Sequence, residues 1–366
     1  MRILHILSSV VKSGGVSNIL MNYYRELAKE NIRFDFLVFK KLSNSYEDEI
    51  RTLGGYVYYF ERPTFFNCCS YSSLKKFFRK NSKNYDAIEI HDLNMFFITA
   101  LLGKKYKVKN IIAHSHTTVF ADMWYKKIRN YLLFLPVKYM AKNFFACSHD
   151  AGKFAFGNKK NIIIVRNAIN YEMYKYNEGV RTVVRDELGL NDKRVLLHVG
   201  QFVPIKNHEF LIKMFQALSK KRDDVILLLV GGNGSEFIKI KKYIIDHGLC
   251  NIFLLGERND VPQLLQAADA FILPSFNEGL PLSVVEAQMS GLHCFISDTI
   301  SSDVNIGKCE TFDLEVGINI LVTRINEYFE KLELHNRSCN ELGNYDIKNE
   351  AQKLKEKYSE IIYVQR

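Results

Sequence analysis

The chain has 366 residues, 47% hydrophobic and 25% charged, with 50 basic against 40 acidic residues and a net charge of +10. That length exceeds one typical core and predicts two domains, and the lack of any run of 18 apolar residues argues against a spanning helix and for a cytoplasmic protein. The basic excess has no helix-turn-helix, zinc-finger or RNA-sheet signature beside it, which argues against nucleic acid and leaves an anionic substrate or an anionic membrane surface.

RILHILSS predicts a first strand over 2–8, and MRILHILSSV lacks the longer apolar core of a signal segment. Gly14 and Gly15 then turn the chain into an amphipathic helix carrying Ile19, Leu20, Tyr23, Tyr24 and Leu27. Strand, glycine turn and helix make the mononucleotide-binding unit of a Rossmann-like half, although Gly-Gly alone is a weak signal. Further strands are expected at 34–39, 56–60, 86–91 and 110–116. Two of them end in histidines: His91, then His114 with His116. Ligands bind at the carboxyl ends of strands in an open parallel sheet. A zinc cluster of the three would need a fourth ligand, for which no cysteine or acidic residue stands at suitable spacing; packed or surface histidines are the plainer alternative.

Two segments mix aromatic and basic residues: Leu74, Phe77 and Phe78 beside Lys75, Lys76, Arg79 and Lys80, then Trp124, Tyr125, Ile128, Tyr131, Leu132 and Leu135 beside Lys126, Lys127 and Arg129. Each reads either as a helix packed on the sheet or as an interfacial helix resting on anionic lipid. Ser148 is placed to cap the next helix, and RNAIN (166–170) leads to a charged linker over 171–192.

VLLHVG begins a second glycine-terminated strand, followed by a loop with Gln201 and Lys206. VILLLVGGNG is a buried strand whose Gly232 or Gly234 permits close approach of backbone to a nucleotide. Arg258 and Val261 follow the next strand, with Asp260 as a helix cap. AADAFIL then leads into PSFNEGLPLSVVEAQMSG, which places Glu278, Gly279 and Leu280 in a loop and Glu286 about one turn inside a helix capped by Ser283. Such a loop suits an anion, and Glu286 suits a ribose diol; a solvated acidic loop is the alternative. Asp298 and Asp303 lack the acidic strand-loop pair of a magnesium site, so no metal is expected. The seven cysteines show no ligand spacing and read as reduced thiols.

FNEGLPLSVVEA resembles the glutamate-x7-glutamate motif of retaining glycosyltransferases of family four, and the Gly-Gly turn, AHSHTT and the Gln201–Lys206 loop are similar to other segments of that family. The resemblance implies an α/β GT-B fold of two facing Rossmann-like domains with a deep cleft. The domains are residues 1–170 for the acceptor and 193–345 for the nucleotide sugar, with 346–366 a helix crossing back to the first. It further implies that Gly15 approaches the donor diphosphate and sugar, and that His116, with His114 in reserve, contacts the transferred sugar. Glu278 would orient sugar hydroxyls, and Glu286 would bind ribose. Gln201, Lys206, Gly279 and Leu280 would hold the diphosphate, with Gly232, Arg258 and Val261 near the nucleotide. Gln201 departs from the arginine that the family commonly has there, which leaves Lys206 more of the leaving-group charge.

The activity so implied is metal-independent, retaining transfer of a hexose or N-acetylhexosamine to a polyprenyl-diphosphate-linked glycan at the membrane face. The donor is a UDP-sugar, and no cofactor is involved. A sugar-nucleotide 2-epimerase and a non-catalytic sugar-nucleotide-binding subunit are the alternatives.

Overall fold

A computed structural model of the protein describes residues 1–12, 14–63, 68–117, 130–133, 135–159, 161–232, 234–278, 280–315, 317–332, 337 and 345–364. Residues 1–169 and the chain from 344 onward form one unit, and residues 170–343 form a second.

The first unit is built on strands β1 (Arg2–Leu7), β2 (Arg33–Val38), β3 (Val57–Tyr59), β4 (Ala87–Ile90), β5 (Asn110–Ser115), β6 (Asn143–Ala146) and β7 (Ile162–Ile164). They lie in the order β3-β2-β1-β4-β5-β6-β7, and every pairing is parallel. Parallel strands need covered faces, which is why β4 and β5 are buried at every position. The C-terminal helix Ile347–Ser359 packs in this unit against the Gly15–Leu27 helix. Its Tyr358 meets Phe34 and Phe145 edge-on or tilted, and Lys355 pairs with Glu30 at 3.0 Å.

The second unit holds β8 (Arg194–Val199), β9 (Val225–Val230), β10 (Ile252–Gly256), β11 (Ala270–Leu273), β12 (His293–Ser297) and β13 (Cys309–Phe312). Their order is β10-β9-β8-β11-β12-β13, again all parallel. VILLLV of β9 is buried throughout. Beyond it, a Cβ on Gly231 would sit 1.9 Å from the carbonyl oxygen of Gly200, and one on Gly234 would sit 2.1 Å from that of Phe202. These two glycines let loop backbones touch. Both sheets therefore have the Rossmann-like pattern that the sequence predicts.

Several local expectations change. Ser148 does cap its helix, accepting from the Ala151 N–H at 3.1 Å. Ser283 does not: the helix spans Leu282–Met289, so Ser283 lies inside its first turn and Pro281 occupies the cap position. Asp260 stands at the start of the Val261–Ala267 helix but makes no capping bond, because its carboxylate clamps Arg258. The Cys68–Asn81 helix buries Leu74, Phe77 and Phe78 and exposes Lys75, Lys76, Arg79 and Lys80, so its apolar face belongs to the core. Trp124, Tyr125, Lys126, Lys127, Ile128 and Arg129 lie outside the described residues, whereas Tyr131, Leu132 and Leu135 are exposed.

Candidate functional site

In each sheet the strand order reverses direction beside the first strand, between β1 and β4 in one unit and between β8 and β11 in the other. Such switch points at carboxyl strand ends are the usual ligand sites of open α/β sheets. Gly15 and His116 lie at the first of these and Lys206 and Glu278 at the second, whereas Gly232 follows β9 and Arg258 and Val261 follow β10.

In the first unit a cavity of about 440 Å³ opens there, lined by Gly14, Gly15, Arg62, His91, Asp92 and His116 among others. Gly15 opens the Gly15–Leu27 helix, whose first residues form part of the wall and bring the positive end of its dipole there. A Cβ on Gly15 would meet nothing within 4 Å, so the chain itself does not demand glycine at this position. Arg62 forms an ion pair with Asp92 across the wall.

Behind the cavity lies a buried cluster. Because strand residues two apart share a face, Glu89 and His91 of the β4 end project together, as do His114 and His116 of the β5 end. His91 Nδ1 is 2.9 Å from His116 Nε2, and His91 Nε2 is 3.0 Å from Nδ1 of His5 on β1. His114 Nδ1 donates to Glu89 Oε1 at 2.6 Å, and the Tyr358 hydroxyl donates to Glu89 Oε2 at 2.5 Å. Burial lowers the imidazole pKa of His5 to about 4, against an opposing pull from Glu89, and that of His114 to about 3. His91 and His116 are pushed well below the ordinary range, first by burial and then by neighbouring imidazoles. Burial raises the Glu89 carboxyl.

Among the described residues, His91, His114 and His116, and also His5, Glu89 and His91, form groups whose nitrogen and oxygen atoms lie within 4.8 Å of one another. The sequence reading found no acidic partner for the histidines, yet Glu89 is one, and its position two residues before His91 was the available signal. His5 and Tyr358 come from the distant first strand and last helix. Within the cluster His5 Nδ1, both nitrogens of His91, His114 Nδ1 and His116 Nε2 are paired, while His5 Nε2, His114 Nε2 and His116 Nδ1 are buried without a hydrogen-bond partner among the described residues. The His114 and His116 rings stack 4.1 Å apart.

In the second unit Lys206 closes the short helical turn Pro204–Lys206 after β8, and Asn207 turns left-handed (φ 53°) to start the next helix. Lys206 Nζ reaches Glu278 Oε1 at 2.6 Å, with both side chains more than four-fifths buried. Ser275 Oγ donates to the same Glu278 oxygen at 3.2 Å. Glu286, in the Leu282–Met289 helix, accepts from the Tyr174 hydroxyl at 2.9 Å. Burial raises its carboxyl pKa, and the Tyr174 bond opposes that. Tyr174 belongs to the stretch read as a linker and was not anticipated.

Gln201 is exposed at the head of the Lys206 loop, and Leu280 is buried just before the helix. Gly279 lies outside the described residues. A Cβ on Gly232 would meet only Glu257 Oε2, at 3.6 Å. Arg258 and half-buried Val261 follow β10, two strands from β8, and Arg258 Nε donates to Asp260 at 2.7 Å.

Comparison with known proteins is consistent with this architecture. The "Glycosyltransferase Family 4" pattern matches residues 13–172, and "Glycosyl transferases group 1" matches 180–348. The Bacillus subtilis (strain 168) protein named "Putative glycosyltransferase EpsF" is 31% identical over 315 residues, 84% of this chain and 81% of that protein. An Escherichia coli enzyme, UDP-Gal:alpha-D-GlcNAc-diphosphoundecaprenol alpha-1,3-galactosyltransferase, is 25% identical over 310 residues, 79% of each chain. Among solved structures, Anabaena HepE in complex with UDP and glucose superposes with a TM-score of 0.80 at 18% identity, over 98% of this chain and 99% of that one. With its two Rossmann-like sheets and its last helix returned to the first, the chain belongs to the family-four glycosyltransferases of the GT-B fold.

Proposed function

We propose that the protein transfers a hexose or N-acetylhexosamine from a UDP-sugar to a glycan carried on a polyprenyl diphosphate, with retention of anomeric configuration and without a metal. The observation that carries this reading is the Lys206–Glu278 pair at the β8–β11 switch point, with Glu286 one turn into the following helix. Lys206 takes the donor diphosphate and offsets the charge that develops as it leaves. Gln201 donates a hydrogen bond, the loop amides around Gly279 and Leu280 add others, and Glu286 binds the ribose diol. Glu278 orients hydroxyls of the donor sugar. His116, on the wall of the first unit's cavity, contacts the sugar as the acceptor hydroxyl takes it up. The acceptor attacks from the leaving-group side and gives its proton to the β-phosphate oxygen.

The choice of UDP and of a lipid-linked acceptor is supported by the names of the E. coli and Anabaena relatives. An anionic membrane surface is supported by exposed Phe97 and Leu101 on the Phe96–Lys105 helix and by Tyr139 on the Val137–Met140 helix that packs against it, with exposed Lys104, Lys105 and Lys142 nearby in sequence. The test is incubation of purified protein with radiolabelled UDP-sugars and polyprenyl-diphosphate-linked acceptors. Label transfer to lipid is expected. Isomerised donor without transfer would indicate the epimerase, and tight donor binding without turnover the non-catalytic subunit.

A further inference from the structure

The cluster behind the cavity contains a run of three imidazoles: His5 Nδ1 to His91 Nε2 at 3.0 Å, and His91 Nδ1 to His116 Nε2 at 2.9 Å. A neutral imidazole has one N–H and one lone pair, so both hydrogen bonds must run in the same direction. In one direction His5 donates to His91 and His91 to His116, which leaves an N–H at His116 Nδ1. In the other, His116 donates to His91 and His91 to His5, which leaves a lone pair at His116 Nδ1. That nitrogen is buried and has no hydrogen-bond partner among the described residues, and His116 is one of the residues lining the cavity.

The choice between the two directions falls to Glu89. Its Oε1 lies 3.6 Å from His91 Nε2 and already receives the His114 N–H at 2.6 Å. The Tyr358 hydroxyl donates to Glu89 Oε2, and with Glu89 ionised its Oε1 accepts from His114. A carboxylate attracts an N–H on His91 Nε2 and repels a lone pair there. With Nε2 protonated, His91 donates to His5 and accepts from His116.

We infer that Glu89 is a positioning residue that fixes the direction of this relay, so that His116 offers the Nδ1 lone pair to a hydroxyl bound in the cavity. The ligand class is an O–H donor, a sugar or acceptor hydroxyl, rather than an anion or a carbonyl. The inference rests on the proposed role of His116 at the transferred sugar.

The test is ¹⁵N NMR of histidine-labelled full-length protein, with His116→Asn used to assign the His116 signals. The wild type is expected to show His116 and His91 as Nε2–H tautomers and His114 as Nδ1–H. Glu89→Gln is expected to shift His116 toward Nδ1–H and to lower kcat about 10–100-fold. Donor affinity by calorimetry should stay unchanged. A wild-type His116 in the Nδ1–H form, or a His116 tautomer unmoved in Glu89→Gln, would overturn the inference. If Glu89→Gln does not fold, the wild-type spectrum alone still decides the direction. The spectrum is independent of turnover, so absent transfer alongside the expected tautomers defeats the proposed function and leaves the relay standing.

Discussion

Lys206 Nζ lies 2.6 Å from Glu278 Oε1, so the two residues assigned to opposite ends of the donor sugar-phosphate bond are each other's partners. Each thereby spares the other the cost of an unpaired, largely buried charge. A donor that offers the lysine a diphosphate and the glutamate sugar hydroxyls replaces both halves of the pair together.

Lys206→Ala removes the leaving-group charge and is expected to lower kcat about 10²–10³-fold. Glu278→Ala should mainly damage turnover as well. Because they share one contact, Lys206→Ala/Glu278→Ala should lose less than the product of the single losses. Strictly multiplicative losses in kcat/KM would separate the pair functionally.

Glu286 should act on binding instead. Glu286→Ala is expected to weaken donor affinity about 10-fold or more, consistent with loss of a hydrogen bond to a charged acceptor. Equal calorimetric affinities for wild type and variant would remove the ribose assignment. The pH dependence has a definite sign. Burial raises this carboxyl, so the acceptor is lost on acidification at a higher pH than for an ordinary glutamate. Tyr174→Phe removes the hydroxyl that stabilises the carboxylate and should move this acid limb of donor affinity further upward.

Gln201→Arg tests the family difference directly. An added cation at the head of the Lys206 loop should preserve or raise turnover, since Arg258 is already held by Asp260. A large loss of kcat with an unchanged melting temperature would show that the glutamine has a role of its own.

Much of the fold was legible because both sheets are parallel, and buried parallel strands read as apolar runs ending in glycine or histidine. The histidines at strand ends, His91, His114 and His116, were visible for the same reason, whereas Lys206, in the loop after β8, and the choice of His116 came from the family resemblance. Glu89 is legible through its two-residue offset from His91, although metal-ligand spacing alone does not point to it. Tyr174 and Tyr358 were not: their hydroxyls reach glutamates 112 and 269 residues away, and no local period records such a contact. Asp260 was misread because its place before a helix suits a cap, while Arg258 two residues earlier offers it a full charge.

Gly15 separates folding from ligand approach. An added methyl meets nothing within 4 Å, so Gly15→Ala should leave the melting temperature unchanged. If bound substrate comes close to this turn, the same methyl should raise KM or lower kcat. Unaltered kinetics would mean that nothing approaches the cavity wall there. Gly14→Ala is a poor control, because its Cβ would press on Ser17 Oγ at 3.0 Å and on Val11 at 3.2 Å.

The buried histidines make stability dependent on pH, and the sign can be worked out. His5 and His114 titrate at about 4 and about 3 in the folded protein, against about 6.5 when unfolded. Between those values the unfolded chain binds more protons, so the stability present above pH 6.5 is lost as pH falls. Each such histidine contributes a slope approaching about 1.4 kcal/mol per pH unit. His91, His116 and His198 are lowered in the same sense, and His208 is brought to about 4. Glu89, Glu286, Asp35 and Asp92 act oppositely: their raised carboxyls take up protons in the folded state first, which offsets part of the histidines' effect. With the histidines dominant, the urea midpoint is expected to fall as pH drops from about 6.5 to about 4.5. A flat profile over that range would mean that the folded protein lets water or a counter-charge reach these imidazoles.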